Sequence, residues 1–258
     1  MHLRQIIAGL ALIMSMAPGV QAQTEKKSVN YQDQWITGRP TDPGEAWAIA
    51  YGGRLYDHWA NTLEIEPPRE SHPSYPAAGK ARGAATWRCK ECHGWDYQGV
   101  AGAYASGNSY TGIKGIRAYA GAPVERIARI VRDATHRYTP EMISDDALQY
   151  LALFVSKGQI DTYKIVDRAS GKITGGNPAR GKDIFQNLCA ICHGFDGRAQ
   201  NLGANPPVYV GTVANAKPWE MLHKVRNGFP GMPMPSNIWW DMKTLADVAA
   251  YAQTLPQR

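Results

Sequence analysis

Apolar positions recur at three-to-four spacing in two stretches, Ala147-Leu148-Gln149-Tyr150-Leu151-Ala152-Leu153-Phe154 and Leu245-Ala246-Asp247-Val248-Ala249-Ala250-Tyr251. Each predicts a helix with one buried face. Ser144, ahead of Asp145-Asp146, reads as the N-cap of the first, with its acids where the helix dipole favours them; Asp241 or Thr244 takes that part in the second. A third stretch, Glu45 to Leu63, carries Trp47, Ile49, Leu55, Tyr56 and Trp59 and predicts a helix with an aromatic face, which Gly52-Gly53 would weaken. Residues 99–121, rich in Gly, Ser, Ala and Tyr, and residues 201–218, rich in Asn, Pro and Gly, predict irregular loops. Glu66-Pro67-Pro68 through Pro73 and Pro76 reads as an extended segment, and the polar, glycine-containing run 157–177 as a linker.

Laid over each other, the two halves repeat. Ala81-Arg82-Gly83 echoes Ala179-Arg180-Gly181, and Arg129-Ile130-Val131-Arg132-Asp133 parallels His223-Lys224-Val225-Arg226-Asn227. Between these lies Cys89-Lys90-Glu91-Cys92-His93 in the first half and Cys189-Ala190-Ile191-Cys192-His193 in the second, 100 residues apart, followed by Gly94-Trp95-Asp96 and Gly194-Phe195-Asp196. Residues 23–78 match nothing in the second half.

The 4 cysteines of the chain all fall in these two motifs. Two thiols three positions apart on a first helical turn can add to the two vinyl groups of one porphyrin, and the adjacent histidine then reaches the iron from the same side. Each motif therefore reads as a covalent haem c site, with Cys89, Cys92, Cys189 and Cys192 holding two haems and His93 and His193 as proximal ligands. A four-thiolate zinc site is disfavoured, because paired CxxC motifs for zinc usually stand about 15–20 residues apart. A redox dithiol would call for a βαβ context and leaves the following histidines unexplained.

Composition and charge change the picture little. The net charge is +6, with basic residues scattered rather than gathered in a stripe, so nucleic acid is not an expected partner. At the N-terminus Arg4, an apolar run from Ile6 to Met16 and the exit Val20-Gln21-Ala22 predict a secretory signal peptide over residues 1–22. That apolar run falls short of the roughly 20 residues that span a bilayer, so no stable membrane insertion is expected. Haem attachment to such motifs occurs outside the cytoplasm, which places the chain in a bacterial periplasm.

With these motifs the chain resembles a dihaem cytochrome c built from two tandem class I-like domains, over about residues 79–158 and 177–256. The resemblance implies an all-α, loop-rich fold: three main helices in each domain, residues 79–158 and 177–258, a linker at 159–176 and an N-terminal extension, 23–78, packed on the first domain. It also implies a methionine as distal ligand in a loop before the last helix. In Gly228-Phe229-Pro230-Gly231-Met232-Pro233-Met234-Pro235 both methionines precede a proline; Met234 is preferred, because relatives with one methionine read Pro-Gly-x-x-Met-Pro. The first domain lacks Met-Pro, and His136 or Met142 could serve. His136 is preferred, because Met142 lies only two residues before Ser144 and has little slack to reach an iron. His58 and His72 precede the first motif and could supply a distal ligand from the extension, but are read first as packed or exposed, and His223 as a surface residue.

A histidine in place of a thioether lowers a haem potential, which makes the first haem the entry point and the second the exit. The function implied is transfer of single electrons between redox partners, from a dehydrogenase or quinol-oxidising complex to a downstream acceptor, rather than catalysis. Two other readings stand beside it. A dihaem enzyme of the thiosulfate dehydrogenase type would need a cysteine thiolate opposite the histidine, and the thioethers leave none. An electron-transfer subunit would dock through Trp35, Trp47 and Trp59 of the extension.

Overall fold

The computed structural model describes residue 40 and residues 43–203 and 205–258. The leader 1–22 and the start of the extension, with Trp35, lie outside the described residues. The chain is all-helical with long loops, and among the described residues β-pairing is confined to isolated bridges, Gly99 with Lys114 and Val166 with Ile173. No described helix is long and apolar enough to cross a membrane.

The extension forms a long helix, α1 (Glu45–Leu63), kinked at His58, where φ is −155° and ψ 83°. Next come the short α2 (Cys89–His93), then α3 (Val124–Val131) and α4 (Asp145–Leu153). Ser144 caps α4 by accepting the Ala147 N–H, with Asp145 and Asp146 in the first turn. Leu55, Tyr56 and Trp59 of α1 share one core with Ile127 of α3 and Leu148 and Leu151 of α4.

In the second half α5 (Pro178–Ile184) continues through a π turn into α6 (Ala190–His193), so the second cysteine motif ends one continuous helical run. Helices α7 (Val210–Ala216), α8 (Pro218–Asn227) and α9 (Met242–Ala252) complete it. Asp241 accepts the Thr244 N–H, which makes it the cap of α9. Helix α7 corrects the expectation of an irregular loop over 201–218. Asn and Gly dominate only its first part, and Val210, Val213 and Ala214 have apolar neighbours to pack on.

Glycine fixes how the helices cross. A Cβ on Gly181 of α5 would lie 1.9 Å from the Asp247 carbonyl of α9, so these two backbones touch. In the first half the corresponding contact is made by α1, where a Cβ on Gly52 would lie 2.0 Å from the Tyr150 carbonyl of α4. Its neighbour Gly53 faces α8, where a Cβ would meet the Asn227 side chain at 2.3 Å. Gly83, which the sequence pairs with Gly181, instead lies in a 3-10 turn at φ 57°.

The segment 157–177 is packed rather than loose. Ile165 and Val166 enter the second core, while the Tyr163 hydroxyl donates to Asp96 Oδ2 at 2.5 Å.

Candidate functional site

Helix α2, the loop 111–119, α3, α4 and the segment 133–138 enclose an apolar cavity of about 370 Å³. That is a size at which a small molecule or cofactor is held. Cys89, Cys92, His93 and His136 line it together with Ile113, Ile127 and Leu151, while Met142 packs into the adjoining core and does not line it.

The two imidazoles face each other. The His93 and His136 ring centroids are 6.2 Å apart and their planes differ by 28°. His93 Nδ1 is 2.8 Å from the Lys114 carbonyl and His136 Nδ1 is 3.1 Å from Asp133 Oδ1, so each ring directs its Nδ1–H away from the other. An outer partner that fixes tautomer and orientation is what a metal-ligating histidine needs, and the Nε2 atoms are left for the cavity. With metal–nitrogen bonds of about 2.0 Å, two imidazoles facing across one iron stand roughly 6 Å apart centre to centre. The donor set therefore fits a haem. Burial lowers the His93 pKa to about 4 and raises those of Cys89 and Cys92 to about 11 and 12, so before attachment the imidazole is neutral and the thiols protonated.

A second cavity of about 350 Å³ lies between the π turn, α6, α7, α8 and α9, lined by Cys189, His193, Met234, Phe185, Val213 and Val248 among others. Met234 lines it, whereas Met232 is half exposed and does not. The His193 Nδ1 is buried without a protein partner. Here too the residues fit the group, with a neutral imidazole, a thioether and a thiol around an apolar space. Among the described residues no three His, Cys, Asp or Glu gather as for a metal ion, so the two cysteine pairs do not converge on one zinc.

The largest departure from the sequence reading is His223. It is 1% exposed, not a surface residue, and sits where α8 meets α1 and the first cysteine lobe. Its Nε2 is 2.9 Å from the Gly53 carbonyl and its Nδ1 2.8 Å from the Tyr97 hydroxyl, with Trp95 and Tyr56 against the ring. Beside it Asp57 of α1, fully buried, accepts from Arg88, which lines the first cavity, and from Lys224 Nζ at 2.7 Å, which lines the second. Burial alone would raise the Asp57 pKa; Lys224 and Arg88 outweigh it and hold the carboxylate ionised. One polar residue on the apolar face Leu55-Tyr56-Trp59 was the available sequence signal for this junction.

Residues 176–251 match the family described as cytochrome c oxidase, cbb3-type, subunit III. No curated protein matches the chain. Among solved structures, a Kuenenia stuttgartiensis reducing HAO-like protein complex is similar at 17% identity over 75% of this chain and 100% of that one, with a TM-score of 0.26. Residues 176–251 thus resemble a cytochrome c domain, a kind of unit that binds haem c covalently and transfers electrons.

Proposed function

We propose that the protein is a dihaem c-type cytochrome that passes single electrons between redox protein partners outside the cytoplasm, with residues 45–158 and 177–258 as its two haem lobes. The observation that carries this reading is the first cavity, in a part of the chain outside the matched 176–251, where Cys89, Cys92 and two facing imidazoles surround an apolar space. His93 and His136 would hold the iron there, and His193 and Met234 would hold it in the second lobe. With two side-chain donors lining each cavity, a haem held there would support outer-sphere electron transfer, the electron source being a dehydrogenase or quinol-oxidising complex. The haem supplies the redox change; the chain supplies axial donors, an apolar jacket and the fixed separation of the two sites.

The test is the intact mass of the purified holoprotein. Two haem additions are expected, one lost in C89S/C92S and the other in C189S/C192S. A single addition, retained in C89S/C92S, would overturn the dihaem reading.

A further inference from the structure

His72 lies in the proline-rich segment after α1, in a part of the chain that the second half does not repeat, yet it lines the first cavity. Its Nε2 is 2.7 Å from the backbone carbonyl of His136, and two residues on, the Ser74 hydroxyl donates to the Thr135 carbonyl at 2.7 Å. The geometry points to a clamp: His72, aided by Ser74, is a positioning residue that holds the loop 134–137 over the first cavity and keeps the His136 imidazole facing His93. The inference rests on the reading of His136 as an axial ligand.

The tautomer of His72 is settled by its neighbours. The Ser74 backbone N–H donates to His72 Nδ1 at 3.1 Å, so that nitrogen carries no proton, and Nε2 is the donor to the His136 carbonyl. The ring stacks edge-on against Trp87 at 4.3 Å, and the His72 backbone N–H donates to Thr86 Oγ1 at 2.7 Å. Trp87 in turn donates through its indole to the Glu70 carbonyl at 2.9 Å. His72 is thus anchored to the chain just before Cys89 and does not drift with the loop it holds.

The loop needs an external hold. Its internal bonds run to Asp133, whose Oδ1 accepts the backbone N–H groups of Thr135 and His136, and to the Ala134 carbonyl, which accepts from Arg137 Nε. Those bonds shape the loop but do not fasten it to the lobe. Arg137 holds φ at 59°, a left-handed conformation disfavoured for a side chain with a Cβ. Among the hydrogen bonds of residues 134–137, the ones from His72 and Ser74 reach beyond the loop.

Removing one such bond shifts the balance between seated and released loop by roughly tenfold. An outside ligand competing for the released site gains apparent affinity by the same factor. The test is a cyanide titration of the ferric holoprotein in the parent, H72A, H72Q, S74A and H136A. H72A is expected to bind cyanide at the first site about tenfold more tightly than the parent. H72Q, whose amide N–H can still donate, should return toward the parent, and S74A should shift in the same direction by less. The red-edge sulfur-to-iron absorption of the second site should titrate as in the parent throughout. Amide exchange over 133–139 should quicken in H72A while that of α9 stays unchanged. Parental cyanide affinity and parental exchange in H72A would overturn the clamp. If H72A does not fold, S74A decides between the same two outcomes. If H136A itself keeps the parental spectrum and cyanide affinity, His136 is not a ligand, and the reading beneath the clamp fails instead.

Discussion

On the proposed ligand set His136 and Met234 would offer iron different donors, and the contrast is the most consequential one at the scale of single residues. Imidazole stabilises ferric iron more than a thioether does, so the first site should have the lower midpoint. In a redox titration resolved by site, M234H should lower the second midpoint by on the order of a tenth of a volt or more, leaving the first nearly unchanged. A higher midpoint at the first site in the parent would count against the ligand assignment. That Cys89, Cys92, His93 and His136 line one cavity and Cys189, His193 and Met234 another was legible in the sequence because the signal is local: five consecutive residues make each motif, and His136 and Met234 lie in short loops before a capped helix. His223, Asp57 and Tyr97 were not. What buries them comes from parts of the chain far apart, His223 bonding to Gly53 across 170 residues and to Tyr97 across 126. A histidine with such distant partners carries no periodic signature.

At the scale of elements, the helices α4 and α9 were readable from apolar spacing and caps, while the role of α1 was not. Gly52-Gly53 reads as a defect in a helix, since each glycine costs about 1 kcal/mol relative to alanine. The packing reverses that judgement, because each glycine admits a neighbouring backbone or side chain that a methyl group would displace. Gly52 meets α4 as Gly181 meets α9, so the first-half counterpart of α5 lies before the cysteine motif by a long insertion rather than adjoining it. The sequence echo around Gly83 pointed to the wrong glycine for this reason. Gly52→Ala should destabilise the protein by about 1–3 kcal/mol in chemical unfolding, and Gly181→Ala likewise, because both force overpacked crossings. Stabilisation of about 1 kcal/mol, the outcome of helix propensity alone, would show that α1 can move aside.

For the whole molecule, the junction built on Asp57 and His223 joins α1 to both cavities. Burial lowers the His223 pKa to about 4, against 6.5 in an unfolded chain, with Asp57 opposing the shift and Lys224 and Arg226 adding to it. The unfolded chain therefore binds a proton at a higher pH than the folded one, and stability falls as pH drops below about 6.5. By pH 4 this histidine should have removed roughly 3 kcal/mol. H223Q, which can keep both hydrogen bonds without titrating, should flatten the profile between pH 6.5 and 4, as followed by unfolding at several pH values; an unchanged slope would show that the proton uptake lies elsewhere. The same helix also orders events in time. Because α1 precedes the helices it seats against, it can meet α4 once residues 145–153 are present and completes its docking only when α8, residues 218–227, follows. The first cysteine motif, which lies between α1 and α4 in the chain, is not closed in by that contact while the later helices are missing, and the order of events is written into the glycines of the first helix.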